Sequence, residues 1–104
     1  MRLATLLEEW VRSDARFEVA APRSLSLVCF RLVPRPGEAP ADTDARNRAL
    51  LERFNATGRA FLTHTVLPGP PRYVLRMAIG ATHTRERHVR AAWELLGEQA
   101  AQLS

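Results

Sequence analysis

Two proline-rich breaks decide what this chain can fold into. Val33-Pro34-Arg35-Pro36-Gly37-Glu38-Ala39-Pro40 holds three prolines and a glycine, and Pro68-Gly69-Pro70-Pro71 holds three more prolines around another. Proline lacks a backbone donor and fixes φ, so neither a helix nor a central strand runs through either stretch. The first break reads as a loop, and the second as the turn of a hairpin. Regular structure is confined to the segments before, between and after them.

Each segment has its own periodicity. Leu3, Leu6, Leu7, Trp10 and Val11 form one helical stripe that stops near Ser13-Asp14. Phe17-Glu18-Val19-Ala20 reads as a short strand closed by Pro22. Leu25–Leu32 is rich in strand formers and apolar on both alternating faces, which predicts a central strand with both faces at least partly covered. Asp42, Thr43 and Asp44 offer side-chain acceptors and negative charge for the start of a second helix. Ala49, Leu50 and Phe54 mark its buried side, and Gly58 ends it.

Ala60–Leu67 and Arg72–Ile79 then flank the proline turn as the two arms of a hairpin. Thr82 or Thr84 caps a third helix with Val89, Ala92, Trp93, Leu96, Ala100 and Leu103 at three- and four-residue intervals. The order α-β-β-α-β-β-α, with short connections, predicts an α+β fold: an antiparallel four-stranded sheet with three helices.

At 104 residues, 46% hydrophobic and 25% charged, residues 1–104 make one globular domain with a real core. No apolar run approaches the roughly 18 to 20 residues that cross a bilayer. Acids inside the apolar N-terminal stretch argue against a signal peptide, so a cytoplasmic location is expected and no membrane partner. Without a secretory signal, the sequon Asn55-Ala56-Thr57 is set aside and Asn55 is read as a helix-ending residue. Cys29 is the only cysteine and is expected to pack as a small buried hydrophobe.

All fifteen basic residues are arginine, and lysine is absent. The net charge of +4 does not imply nucleic acid, because the arginines are interleaved with acids and the strands lack the aromatic pattern of a base-stacking platform.

Few residues carry chemistry. One cysteine with His64, His83 and His88 shows no metal-ligand spacing, and the five glycines form no phosphate loop. His64, in a largely apolar strand, reads as a hydrogen-bonded interior histidine. Glu86 with Arg90, and Asp44 with Arg48, have the spacing of surface ion pairs on helices. Arg76 stands apart. Tyr73, Leu75, Met77 and Ile79 share one face of its strand, while Val74, Arg76 and Ala78 share the other, leaving a guanidinium mid-strand among apolar residues. Such a cation needs an internal acid, solvent at a sheet edge or an anionic ligand.

Several tracts together resemble the aromatic amino-acid decarboxylases among the group II pyridoxal-phosphate-dependent enzymes. They are Arg16-Phe17-Glu18, Leu27–Leu32, Asn55–Ala60, Tyr73–Thr82 and Arg87–Trp93, in the family's order and spacing. The likeness is strongest to plant tyrosine, DOPA and tryptophan decarboxylases and aromatic aldehyde synthases. It implies the C-terminal small domain of a type I pyridoxal-phosphate fold, with the catalytic large domain outside this chain. It also implies a cytoplasmic homodimer acting on an aromatic amino acid with pyridoxal 5'-phosphate as cofactor.

By the same resemblance Arg76 matches a small-domain arginine near the active site, where it orients the substrate carboxylate or braces the site. The family's Schiff base needs a lysine. This chain has none, so no catalytic, cofactor-binding or metal residue is assigned to it, and no catalysis is expected of it alone. The competing expectation is a truncated, free-standing interaction or dimerisation module.

Overall fold

The computed structural model describes residues 2–21, 27–60, 62–69, 71–78 and 86–103. Its elements are α1 (Arg2–Ser13), β1 (Phe17–Val19), β2 (Leu27–Leu32), α2 (Pro40–Ala56), β3 (Thr63–Leu67), β4 (Arg72–Ala78) and α3 (Glu86–Ala101). Type and order agree with the α+β expectation. Leu25, Ser26, Ile79 and the caps assigned to Thr82 or Thr84 lie outside the described residues, as do Pro22 and His83.

All strand pairs are antiparallel, in the order β1-β2-β4-β3. The β3–β4 hairpin forms around the proline turn, with Gly69 at φ 92°, a value that favours glycine. Its inner arm, β4, then pairs with β2 from Leu27↔Ala78 to Phe30↔Leu75. The two central strands are therefore distant in sequence, and β1 and β3 become the edges.

One face of this sheet carries the core. From the strands it takes Phe17, Val28, Phe30, Leu32, Tyr73, Leu75 and Met77. Against them α1 sets Ala4, Leu7 and Val11, α2 sets Leu50 and Phe54, and α3 sets Val89, Leu95, Leu96 and Ala100. Phe17, Phe30 and Trp93 form an aromatic triangle with ring centroids 5.1 to 6.4 Å apart. The periodic stripes found these faces, with small shifts. Trp93, Ala92 and Leu103 only flank the core, and Leu95 enters it.

Helix α2 starts earlier than the Asp42-Thr43-Asp44 signal implied. Pro40 occupies the first turn, where a missing N–H costs nothing and the fixed φ already suits a helix, and Ala39 before it makes no side-chain cap. Asp42 stays in the first turn as its acid, while Thr43 and Asp44 are released for other work. Thr43 is buried and its hydroxyl donates to Glu38 Oε1 at 2.7 Å. Asp44 accepts from the Tyr73 N–H at 3.0 Å, rather than pairing with Arg48, whose guanidinium lies 5.3 Å from the Tyr73 ring centroid. Arg90 sits over the Trp10 ring at 4.9 Å.

Two asparagines of α2 hold strand backbone in place. The Leu32 N–H donates to Asn47 Oδ1 at 2.8 Å, and Asn47 Nδ2 donates to the Thr43 carbonyl at 3.0 Å and the Leu32 carbonyl at 3.4 Å. At the other end of the helix, Asn55 Nδ2 donates to the Leu62 carbonyl at 3.0 Å while the Leu62 N–H donates to Asn55 Oδ1 at 2.7 Å. Each amide thus satisfies both backbone groups of one residue, as a neighbouring strand would. Asn55 lies in the last turn of the helix, and Gly58 beyond it takes φ 70°.

The first proline loop is tied down by Glu38. Its carboxylate accepts from Arg46 Nε and Nη2 at 2.7 Å each and from the Arg35 N–H at 3.0 Å, while Arg46 Nη2 also donates to the Val33 carbonyl at 2.8 Å. Chiefly through the Arg46 hydrogen bonds, the Glu38 carboxyl is held far below its ordinary value.

Candidate functional site on the uncovered sheet face

All three helices lie on one side, and among the described residues the opposite face of the sheet receives no helix. Period two and the strand register place Leu27, Cys29 and Arg31 of β2 there, with Arg72, Val74, Arg76 and Ala78 of β4 and Thr63, Thr65 and Leu67 of β3. Arg76 is at its centre, directly opposite Cys29 on one side and Thr63 on the other. Paired side chains at such positions have Cβ atoms about 4.5 to 5.5 Å apart.

Arg76 is half-buried, and its Nε is enclosed with no hydrogen-bond partner among the described residues. That is an unusual state for a guanidinium nitrogen, since a buried donor left unsatisfied forfeits its hydration without recompense. Of the three resolutions open to a mid-strand cation, an internal acid is not used. Arg31 shows the contrast on the same face: it is 8% exposed, and its Nε donates to Glu18 Oε2 at 2.7 Å. Among the described strands Glu18 is the one acid on this face, and it is engaged.

The surroundings are otherwise chemically quiet. Burial pushes the Cys29 thiol up, opposed in smaller measure by the Arg76 cation. Cys29 is half-buried rather than fully buried, unlike Val74 on the same face, which is completely enclosed. Arg72 stands four residues from Arg76 on the same face, also half-buried and without an acid partner among the described residues. Its membership was legible from the period-two pattern that found Arg76, but its position at the strand start masked it. The site can hold an anion or a carbonyl oxygen against Arg76; the nucleophile beside it, the Cys29 thiol, is kept protonated by burial.

His64 is not an interior residue. It lies on the edge strand β3, exposed, with its ring stacked on Tyr73 at 4.6 Å and 10° between planes. The apolar neighbours that made it look internal belong to a strand that the helices do not reach. Among the described residues no group of three His, Cys, Asp or Glu could hold a metal ion, and no helix is long and apolar enough to cross a membrane.

Tryptophan decarboxylase TDC1 of Camptotheca acuminata is 50% identical over 100 residues, which is 96% of this chain and 20% of that protein. The chain is a homologue of the plant aromatic amino-acid decarboxylases. Phenylacetaldehyde synthase of Arabidopsis thaliana is 45% identical over 103 residues, which is 99% of this chain and 20% of the relative. The chain therefore spans about one fifth of the length of the curated relatives it matches. No family model matches it.

Among solved structures, Oryza sativa TDC with PLP and tryptamine superposes with a TM-score of 0.89 at 43% identity, over 98% of this chain and 22% of that one. Mouse CSAD, at 17% identity, has the same fold with a TM-score of 0.81. The α+β architecture is thus that of a portion of the group II pyridoxal-phosphate decarboxylases.

Proposed function

We propose that residues 1–104 are the C-terminal small domain of a pyridoxal-phosphate-dependent aromatic-L-amino-acid decarboxylase, a cytoplasmic homodimer in its complete form. The observation that carries this reading is identity near one half, sustained over nearly the whole chain, to tryptophan decarboxylases. The bare sheet face supports it, because a domain whose helices all lie on one side has its other side available to a larger catalytic domain.

Pyridoxal phosphate supplies an electron sink for the bond to the departing carboxylate. The residues of this chain do not fit the holding of that cofactor. There is no lysine for the Schiff base, and the buried unsatisfied nitrogen found among the described residues belongs to a guanidinium on the sheet. Lysine, phosphate pocket and pyridinium partner are assigned to the large domain, and the chain alone is inactive.

Arg76 is the residue of this chain assigned to the substrate. A guanidinium is planar, permanently charged and able to give two parallel hydrogen bonds, which suits the α-carboxylate of an aromatic amino acid. Its free Nε matches a group that completes its hydrogen bonding when the large domain and substrate are in place.

The test is a chimera in which this chain replaces the corresponding fifth of the Camptotheca tryptophan decarboxylase. The chimera is expected to release carbon dioxide from L-tryptophan, and Arg76→Ala within it to raise KM or lower kcat at least tenfold, with Arg76→Lys recovering little. Unchanged kinetics of Arg76→Ala would refute the substrate role. An inactive chimera that binds cofactor and folds would count against the domain assignment. Reading the transcript upstream of the Met1 codon supplies a second check, since the enzyme reading requires an in-frame, lysine-bearing large domain.

A further inference from the structure

We propose that the outer edge of β3 is a self-association surface, on which a second copy of this chain adds its own β3 antiparallel. The sheet has two edges, and they differ. β1 is three residues long and carries Glu18, ion-paired to Arg31, two features that blunt an edge. β3 has five residues, Thr63-His64-Thr65-Val66-Leu67, with no arginine, acid or proline inside it. Its pairing with β4 uses one side of its backbone, and no described strand pairs with the other side's donors and acceptors. It also carries Val66, a large hydrophobic residue that is 56% exposed.

A second copy fits this edge because the strand is complementary to itself. Antiparallel pairing about a two-fold axis through Thr65 sets Thr63 against Leu67 and His64 against Val66 of the other copy, using all five residues. Residues opposite one another then share a face, so the helices of both copies fall on one side and the two sheets become continuous. His64, already stacked on Tyr73, would extend that apolar platform to the other Val66.

The helices leave room. β4 of one copy would stand three strand spacings from β4 of the other, about 14 Å, beyond the 8 to 10 Å at which packed helices approach. Near Tyr73, α2 presents Arg48 and Glu52, which are of opposite sign, so the two flanks can meet without like-charge conflict. Each copy carries a net charge of +4, so salt should favour association by screening the general repulsion. Docking to an acidic partner would weaken with salt instead.

The experiment is sedimentation velocity of the 104-residue chain across concentration and ionic strength. The expected result is a dimer favoured by salt. His64→Glu with Val66→Glu, and His64→Lys with Val66→Lys, should each be monomeric with unchanged far-ultraviolet circular dichroism, and an equimolar mixture of the two should dimerise. The single substitutions Val66→Glu and Val66→Lys, at an exposed position, provide the same comparison should a double variant unfold. Arg76→Glu, on the sheet face, should leave the dimer intact. A wild-type chain that stays monomeric to millimolar concentration, a dimer that survives the like-charge variants, a mixture that stays monomeric, or a dimer lost on Arg76→Glu overturns the proposal.

Discussion

The two faces of the sheet obey opposite rules. The helix-covered face is apolar and closely packed, and its backbone is satisfied even where no strand is adjacent, through Asn47 and Asn55. The bare face has one buried arginine paired to an acid, a second arginine with an enclosed unsatisfied nitrogen, a third without an acid partner among the described residues, and a half-buried thiol. One face accounts for why the chain folds. The other carries the groups that the proposed function uses, together with one fully buried side chain, Val74.

Substitutions can break that contrast if it is wrong. The largest effect is expected for Phe30→Ala, which removes a fully buried ring touching Phe17 and Trp93, and should cost about 3 to 5 kcal/mol in urea denaturation. Against a typical domain stability of roughly 5 to 15 kcal/mol, that leaves little. Asn47→Ala should cost about 2 to 3 kcal/mol by the same measurement, because the Leu32 backbone groups stay buried without their partners. A result near zero would show that Asn47 is not needed to hold β2.

Acid should come next. Because Arg46 holds the Glu38 carboxyl below its ordinary value of 4.5, the contribution of this pair is present above that pH and is lost as the pH falls toward the folded-state value. The melting temperature of the wild-type chain should therefore fall on acidification below about pH 4.5 by more than that of Glu38→Gln. Equal acid limbs would mean that other carboxylates carry the effect.

The smallest change is expected on the bare face. Arg76→Met removes a donor that the chain itself does not satisfy, so the stability of the isolated chain should move by less than about 0.5 kcal/mol, or rise. A large loss would place Arg76 among the residues that hold the fold, and would erase the contrast between the faces.

Much of this architecture was legible. Apolar stripes at helical spacing located the buried sides of α1, α2 and α3, and proline marked the loop and the hairpin turn. Period two in Arg72–Ile79 separated Arg76 from the core residues beside it, and the family resemblance on five tracts agrees with the relatives found. What escaped notice involves relationships between segments. His64 looked internal because its neighbours are apolar, but coverage depends on which strand becomes an edge, and strand order leaves no periodic trace. Asn47 is buried mid-helix with a strand-end backbone as its partner, and a polar residue on a helical face ordinarily reads as solvent-facing. Asp42, Thr43 and Asp44 carry a capping signal, yet Pro40 begins a helix equally well and leaves Asp42 alone in the first turn.

The pairing of β2 with β4 has a consequence for the order of assembly. Leu27 meets Ala78 across about half the length of the chain, so loop closure precedes any gain from the central ladder. During synthesis, β2 emerges long before its main partner and has only the three residues of β1 beside it in the sheet. The apolar segment Leu27–Leu32 must wait for its main ladder, with α1, β1 and α2 as its available partners, until β4 leaves the ribosome. A product truncated before Arg72 would lack the middle of its sheet, and should be recovered as aggregate or cleared by proteolysis.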